Sequence, residues 1–338
     1  MYKSIHITEG CTKSYTDEVN NFIHHFESYD PRFDIQTSGS TGKPKTISFS
    51  KNQVIASAKF TGTFFQFKSH DAVLLNLSPQ FVAGKLMIAR ALVYNLKLVL
   101  APVIENPLQH ILEFPFPIKL AAFVPHQVEA ILNNARTRSL YNQIEHVLIG
   151  GTSIHPELEK RIAQQKNNSW ASFGMTETLS HIALRLIDGK TKNYTCLPGY
   201  HIHTSQNQCL VVEPNEVVAT PLVTHDIVEF ISPNSFIWLG RFDHVINSGG
   251  VKIFPESDEK IISHLFPEHA FYISSLPDIK YGEIPVLVVE NIALSTPQVN
   301  QLLQTIANLL PAYHAPKKII MLQHFQRTAN GKIIRTKF

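Results

Sequence analysis

Short apolar runs alternate with helical patterns between Asp71 and Gly174, and this alternation limits the possible folds of the chain more than any other feature. The apolar runs are predicted to be buried strands: Ala72–Leu77, Leu98–Val103, Leu120–Val124 and Val147–Ile149. The patterns between them are predicted to be helices: Leu86–Tyr94, Gln127–Ala135 and Pro156–Gln165. Such alternation is typical of βαβ units. We therefore expect an α/β fold with a mostly parallel sheet and helices on both of its faces.

Two further patterns follow the alternating region. After about Tyr194, short apolar runs separated by turns indicate a small antiparallel sheet or barrel, with predicted strands at 210–213, 217–220, 227–231 and 236–239. After Gly240, a compact α+β unit is predicted, with helices at 258–266 and 297–310 and strands at 270–275, 284–290 and 317–322. We therefore predict a large N-terminal domain over residues 1–240 and a small mobile C-terminal domain over residues 241–338.

Composition excludes several classes of protein. The chain has 338 residues, of which 44% are hydrophobic, and its net charge of +3 is too small to indicate a nucleic-acid partner. No apolar run approaches the roughly 18 residues of a membrane span, and the first ten residues lack the apolar stretch of a signal peptide. Three widely spaced cysteines argue against a disulfide framework, so a cytoplasmic location is expected. The 17 histidines lack neighbouring ligands at metal-binding spacing and are interpreted as ordinary histidines.

The segment 37–45 consists of hydroxyl residues and glycines at 37–42 followed by Lys43 and Lys45, and it has the composition of a phosphate cradle. Its candidate ligands are Thr37, Ser38, Gly39, Ser40, Thr41, Gly42 and Lys45. The run is not a Walker A loop, because only two residues separate its glycines and Pro44 follows Lys43. The alternative is a flexible linker. It is disfavoured because Ser50 and Gln53 form a predicted capping box directly afterwards, before a helix that runs to about Phe64.

The run resembles the phosphate-binding signature of the adenylate-forming family, which includes acyl-CoA synthetases and the adenylation domains of peptide synthetases. Four more segments resemble motifs of that family in the same order along the chain. They are Ser172–Glu177, Thr224–Asp226, Gly240–Gly250 and Asn330–Lys332. The five signals span residues 37–332, which is nearly the whole sequence.

The resemblance implies that ATP activates a carboxylic acid. A carboxylate oxygen attacks the α-phosphorus, pyrophosphate leaves, and the acyl group then passes to coenzyme A. Residues 38–42 and Lys45 are expected to hold the β- and γ-phosphates, and Gly150, Gly151, Ser172, Phe173 and Gly174 to line the nucleotide pocket. Glu177 is expected to bind Mg²⁺, Thr176 the α-phosphate, Asp226 the ribose hydroxyls, and Arg241 the ribose and phosphates. Lys332 is expected to bridge the attacking carboxylate and the α-phosphate.

Each of these residues also has a simpler interpretation. Glu177 alone fits a helix N-terminus, Asp226 alone fits a turn, and Lys332 lies in a polar tail. In the related enzymes the C-terminal domain rotates about a hinge residue between the two half-reactions, and Asp243 matches that hinge. Gly249 and Gly250 match glycines that admit the thiol arm of CoA, although they also fit an ordinary turn.

The segment Ser78–Lys85 aligns with the family's acyl pocket, and its lysine is unusual there. A lysine suits an acid with a second carboxylate, and the resemblance favours o-succinylbenzoate, an aromatic dianion of menaquinone synthesis. The predicted pocket residues are Phe81, Gly84, Lys85, Thr178, Ser180 and His181. Arg90 is a further candidate that also fits a solvated helix position, and Lys85 also fits a surface lysine.

Rival interpretations stay open at this point. Only 36 residues precede the phosphate run, whereas the family usually has a large N-terminal lobe, so we expect either an open acyl pocket or a homodimer that covers it. The acyl group could pass to a carrier protein rather than to CoA. A binding module without catalysis is the third interpretation, and the presence of both Glu177 and Lys332 argues against it.

Overall fold

The computed structural model describes residues 4–36, 46–327 and 333–338. Its strands, in chain order, are β1 (Ile5–Ile7), β2 (Arg32–Gln36), β3 (Thr46–Ser50), β4 (Ala72–Leu75), β5 (Lys97–Leu100), β6 (Ile118–Phe123), β7 (His146–Ile149), β8 (Asn168–Gly174), β9 (His181–Leu186), β10 (Tyr194–Cys196), β11 (Ile202–Thr204), β12 (Cys209–Val212), β13 (Leu222–Ser232), β14 (Ser235–Arg241), β15 (Ile246–Ser248), β16 (Val251–Ile253), β17 (Phe271–Asp278), β18 (Gly282–Glu290) and β19 (Lys318–Leu322). Its α-helices are α1 (Lys13–Glu27), α2 (Lys51–Phe64), α3 (Val82–Tyr94), α4 (Pro125–Leu132), α5 (Ala135–Tyr141), α6 (Pro156–Ala163), α7 (Pro255–Ile262) and α8 (Thr296–Leu309).

The predicted parallel sheet is confirmed. Six neighbouring strands pair in parallel in the order β1-β5-β4-β6-β7-β8. Strand β4 is buried at every position, and its alternate residues enter two separate cores. Helices α1, α2 and α3 contribute to one of these cores and helices α4, α5 and α6 to the other. Helices therefore cover both faces of the sheet, as the alternating sequence pattern predicts.

The predicted antiparallel strands form a continuation of the same sheet rather than a separate one. The sheet reverses direction between β8 and β9 and continues in the order β9-β10-β14-β13-β12-β11, which brings the total to 12 strands in the described residues. The predicted strand at 217–220 is wrong. The side chains of Val217 and Val218 are buried, but their backbone N–H groups bond to the side-chain oxygen of Asn215 at 2.8 and 2.9 Å. This Asx turn replaces strand pairing.

Helix boundaries follow local capping chemistry. The capping box of Ser50 and Gln53 is present at the start of α2, which ends at Phe64 as predicted. The predicted helix at 127–135 is instead two helices, because the side chain of Asn134 accepts the N–H groups of Arg136 and Thr137 and starts a new helix. Helix α3 begins at Val82, four residues earlier than predicted.

The C-terminal region builds a second sheet of five strands. Strands β16-β15-β18-β17 pair in that order, and β19 pairs in parallel with β18. Helices α7 and α8 pack on it around a separate core that includes Ile253, Ile273, Leu287 and Ile306. The predicted boundary at 241–243 falls between the end of β14 and the start of β15, and the division into two domains stays a prediction. In the described residues, no helix is long and apolar enough to cross a membrane.

Candidate active site

The carboxyl ends of neighbouring parallel strands bring several predicted residues to one edge of the large sheet. Gly150 and Gly151 follow β7, and Gly174 ends β8, which is the neighbour of β7. Gly150 lies so close to Ser172 that a Cβ atom at Gly150 would stand 2.2 Å from the Ser172 hydroxyl oxygen. That hydroxyl donates to the Ile149 carbonyl at 3.1 Å. The close approach accounts for glycine here, and the edge is a usual place for a ligand in such sheets.

The segment after β8 is a tight turn whose backbone conformation is unusual. A short 3₁₀ helix at Thr176–Thr178 is followed by Leu179, which is buried and has a φ of +62°. The Thr178 hydroxyl donates to a carbonyl of the turn and accepts from the Met175 N–H, so it shapes the turn. A Cβ atom at Gly174 would lie 2.3 Å from the Ser180 carbonyl oxygen. A non-glycine residue at positive φ stores strain, and such strain is concentrated at functional sites.

Glu177 projects from this turn and is exposed. Among the described residues it has no hydrogen bond or ion pair, which leaves both carboxylate oxygens free for a cation. No cluster of three or more metal-ligating side chains occurs in the described part of the chain. Mg²⁺ does not need such a cluster, because it is usually held by one or two carboxylates together with substrate phosphates and water. Glu177 therefore fits the predicted Mg²⁺ role.

The ring of Phe173 lies on the other side of β8 from Ser172 and Gly174. Its centroid is 5.6 Å from that of Tyr194 and 5.2 Å from that of Phe236. These contacts make Phe173 part of the packing between the parallel and antiparallel halves of the sheet.

Asp226 and Arg241 face each other on β13 and β14. Asp226 is 8% exposed, and its Oδ1 accepts the indole N–H of Trp238 at 2.9 Å. Its Oδ2 lies 3.7 Å from the Arg241 guanidinium. Burial raises the pKa of Asp226, while the Trp238 hydrogen bond and the Arg241 charge act in the opposite direction. One oxygen is fixed by Trp238 and the other keeps capacity for a hydroxyl donor, which fits the predicted ribose contact.

Arg90 is buried in α3, and this corrects the interpretation of it as a solvated residue. It is 3% exposed, its Nη2 donates to Ser180 Oγ at 3.2 Å, and its Nε has no partner in the described structure. No carboxylate among the described residues pairs with it. Burial lowers the pKa of Arg90 to about 10, and the nearby Tyr200 only partly offsets this effect. The Tyr200 hydroxyl is also buried without a hydrogen-bond partner in the described residues.

His181 lies beside this arginine. Its Nε2 is 3.2 Å from the Thr61 hydroxyl and its Nδ1 is 3.1 Å from the Ser180 hydroxyl. Burial, reinforced by the charge of Arg90, lowers the pKa of His181 well below its ordinary value. The ring is therefore neutral near pH 7, and Ser180 connects it to Arg90.

Lys85 lies at the first turn of α3 and has a contact that the sequence did not indicate. Its Nζ donates to the Asp34 carbonyl at 3.2 Å, and burial lowers its pKa although the Asp34 charge acts in the opposite direction. Asp34 lies on β2, which together with β3 flanks the predicted phosphate run. Gly84 packs against the Ser78 carbonyl, where a Cβ atom would be 2.3 Å away, and Phe81 is 65% exposed.

The predicted hinge and CoA glycines lie at the start of the C-terminal region. The Asp243 carboxylate contacts His225 and Arg241. Gly249 and Gly250 have φ values of +59° and +85° and form the two-residue turn of the β15–β16 hairpin. Two consecutive positive φ values are typical of a type I′ turn, so this turn explains both glycines without a ligand. Their role toward CoA stays a prediction.

Eight predicted residues lie outside the described part of the chain. They are Thr37, Ser38, Gly39, Ser40, Thr41, Gly42, Lys45 and Lys332.

Comparisons with known proteins identify the family of this chain. The model of the AMP-binding enzyme family matches residues 11–219, which is more than half of the sequence. The chain belongs to the AMP-binding enzyme family. An acyl-CoA synthetase (AMP-forming)/AMP-acid ligase II-like protein from Dyadobacter fermentans is 32% identical with a TM-score of 0.65, and the match covers 95% of this chain and 92% of that one.

Two further relatives carry a more specific name. The 2-succinylbenzoate–CoA ligase of Salmonella typhimurium is 29% identical over 269 residues, which are 75% of this chain and 57% of the relative. The second is the o-succinylbenzoate coenzyme A synthetase of Bacillus subtilis, whose structure was solved with ATP and a magnesium ion. It is 20% identical to this chain and superposes on it with a TM-score of 0.74. The match covers 89% of this chain and 68% of that one. The second likeness shows the fold. This chain thus spans little more than half the length of the Salmonella relative.

Proposed function

We propose that this chain is an AMP-forming acid–CoA ligase whose acid carries two carboxylates, with o-succinylbenzoate as the first candidate. Family membership and the relatives named 2-succinylbenzoate–CoA ligase support the reaction class. The buried guanidinium of Arg90 is the observation that supports the dianionic acid. A buried cation without a carboxylate partner is costly in the free protein, and a substrate carboxylate is a partner of the right charge and geometry.

The position of Arg90 relative to the turn supports this assignment. Its contact Ser180 comes three residues after Glu177. The Ser180 carbonyl packs against Gly174 at the end of β8. A carboxylate held at Arg90 therefore lies beside the same turn that presents Thr176 and Glu177, which suits an acid whose other carboxylate is to be activated there.

In the proposed mechanism the described residues bind and orient the two substrates. Asp226, oriented by Trp238, accepts hydrogen bonds from the ribose, and Arg241 lies beside it to support the phosphates. Glu177 would hold Mg²⁺, which would neutralise phosphate charge. Arg90 and the neutral His181 fix the distal carboxylate of the acid. We further propose that the run at 37–45 and Lys332 supply the remaining positive charge, as the family resemblance implies.

The test is pyrophosphate release from purified protein with ATP, Mg²⁺ and a panel of acids, with and without CoA. The panel includes o-succinylbenzoate, benzoate, a medium-chain fatty acid and malonate. We expect release with o-succinylbenzoate and thioester formation when CoA is added. Release without a thioester would indicate a carrier-protein acceptor, and no release with any acid would contradict the proposal.

A further inference from the structure

The carboxylate of Asp243 is held from one side by the large sheet. His225 Nδ1 lies 2.8 and 3.0 Å from its two oxygens, and the Arg241 guanidinium donates to it at 3.2 Å. His225 is on β13 and Arg241 ends β14, so both partners belong to the twelve-stranded sheet. Partial burial raises the pKa of Asp243, but the hydrogen bond and charge of His225 and the charge of Arg241 outweigh it, and the net pKa is lowered.

The next residue along the chain is held by a helix of the C-terminal region. His244 Nδ1 bonds to Glu256 on α7. Helix α7 packs on the C-terminal sheet and also touches β14 of the large sheet, where the Ser257 hydroxyl donates to the Leu239 carbonyl at 2.7 Å. Glu256 also lies 3.9 Å from Arg335. Asp243 is therefore held by side chains of the large sheet, and His244 by a helix of the C-terminal region. Any rotation of the backbone at Asp243 relative to the large sheet has to change the contact with His225.

The two contacts differ in exposure, and exposure determines which one opens more readily. The side chains of His225 and Asp243 are 60% and 40% exposed, whereas those of His244 and Glu256 are 31% and 9% exposed. Water and salt screen the exposed pair, and opening it leaves no buried charge without a partner. Opening the His244–Glu256 pair would leave a carboxylate buried without its histidine. The contact between His225 and Asp243 is therefore the one suited to reversible opening.

Space for such a movement is present beside Asp243. A cavity of about 330 Å³ adjoins it, with Ile227 of the large sheet on one side and Val245 and Asn247 of the C-terminal region on another. Because its wall comes from both sides of Asp243, the shape of this cavity depends on the orientation of the C-terminal region. The side chain can leave His225 without entering a packed core.

We propose that His225 is a positioning residue that holds Asp243 and so biases the C-terminal region toward the orientation seen here. The inference rests on the proposed function, because an orientation bias affects the reaction only if the two half-reactions use different orientations. His225 does not belong to the proposed nucleotide or acid contacts. Its charge does help to lower the pKa of Asp226, so the bias is measured without substrates, and the change is made at His225 rather than at Arg241, which is itself a proposed nucleotide contact.

The test measures orientation without substrates. Spin labels at Glu216→Cys on the large domain and Lys280→Cys on the C-terminal unit, in a Cys11→Ser background, give a distance distribution by pulsed electron resonance. The measured quantity is the ratio of molecules at the label distance of this structure to molecules at all other distances. We expect His225→Ala to lower this ratio about 2- to 5-fold, the range for the loss of one exposed ion pair. His225→Asn keeps an N–H donor near the Nδ1 position and should change the ratio less.

The matched control is His203→Ala, which removes another exposed histidine–carboxylate contact, the one to Glu213 at 2.9 Å, away from Asp243. It should leave the distribution unchanged. In kinetic assays His225→Ala should change ATP–pyrophosphate exchange and thioester formation by unequal factors. Equal distributions for His225→Ala and the unsubstituted protein would overturn the proposal. Because the distances are measured without substrate, an altered distribution in a protein that activates no acid would instead refute the proposed function alone.

Discussion

Replacing Arg90 with methionine separates a binding role from a structural one, because the two roles predict opposite changes in stability. Arg90 has one hydrogen bond, to Ser180, and its Nε has no partner among the described residues. Methionine fills a similar volume and adds no charge. If Arg90 exists to bind a carboxylate, the free protein gains stability from Arg90→Met and loses affinity for its acid. If Arg90 holds the fold together, the free protein loses stability.

The structure sets the magnitude of the stability change. Burial, partly offset by Tyr200, lowers the Arg90 pKa from 12.5 to about 10, which corresponds to a net cost on the order of 3 kcal/mol for the charged side chain. The hydrogen bond to Ser180 offsets about 1–2 kcal/mol of this cost. We expect Arg90→Met to raise the free energy of unfolding by about 1–2 kcal/mol, measured by urea denaturation without ligand. Arg138→Met on α5, where the arginine is exposed, is the control and should stay within about 0.5 kcal/mol.

The kinetic effect should depend on the charge of the acid. Losing a buried, charge-assisted contact to a carboxylate costs about 2–4 kcal/mol, so KM for o-succinylbenzoate should rise about 30- to 700-fold. KM for benzoate should change less than about 3-fold. Lys85→Ala is the comparison variant, because Lys85 is the competing candidate for the second carboxylate. Two results together would refute the assignment of Arg90. In Lys85→Ala, KM would rise for o-succinylbenzoate and not for benzoate. In Arg90→Met, KM would rise equally for both acids and the free energy of unfolding would fall.

Three further predictions concern the rest of the site. Lys332→Ala should reduce ATP–pyrophosphate exchange about 10²–10³-fold and spare thioester formation from supplied acyl-adenylate, and a normal exchange rate would contradict its assigned role. Because the pKa of His181 is lowered in the fold, this histidine takes up a proton below about pH 6.5 in the unfolded chain and not in the folded one. The free energy of unfolding should therefore fall with decreasing pH by up to about 1.4 kcal/mol per pH unit. His181→Gln should reduce that slope in denaturation measured from pH 7 to pH 5, and an unchanged slope would show that His181 is protonated in the fold. Gly174→Ala places a methyl group against the Ser180 carbonyl and should lower the free energy of unfolding by about 1–3 kcal/mol, whereas an unchanged value would show that the turn relaxes without cost.

The sequence predicted the parallel half of the fold well because its signals are local. Buried strands such as Ala72–Leu75 are continuous apolar runs, and the capping box at Ser50 marks the start of α2 within a few residues of chain. The continuation of the sheet past β8 was missed because it depends on pairing between distant strands. No local pattern distinguishes an antiparallel extension from a separate small sheet. At Val217, hydrophobic burial was mistaken for strand pairing, although a nearby Asn residue supplies the hydrogen bonds.

The acid pocket shows a different limit of sequence reasoning. The sequence drew attention to Lys85 because it follows a glycine in a recognisable motif, whereas Arg90 was a further candidate that fitted a solvated helix position equally well. An available signal was the apolar run on both sides of Arg90, since an arginine within such a run has few routes to solvent. Arg90 is buried without a carboxylate partner because α3, the turn after β8 and Tyr200 pack around it together. Only the three-dimensional arrangement shows it.

Two of the four buried side-chain polar atoms that lack a partner in the described residues lie beside the turn after β8, and the other two belong to Asn76 and Glu256. The pair beside the turn is Arg90 Nε and the Tyr200 hydroxyl, and Arg90 also lacks a carboxylate partner among the described residues, whereas Asp243 is paired with His225 and Arg241. Leu179, in the turn next to Ser180, adds backbone strain at the same place. Unpaired groups and strain persist only where the surrounding fold holds them, and a ligand that satisfies them returns part of their cost as binding affinity. In the proposed function a dianionic acid would satisfy the guanidinium and a monoanionic one would not, so we propose that selectivity for the second carboxylate comes from the cost already present in the free fold.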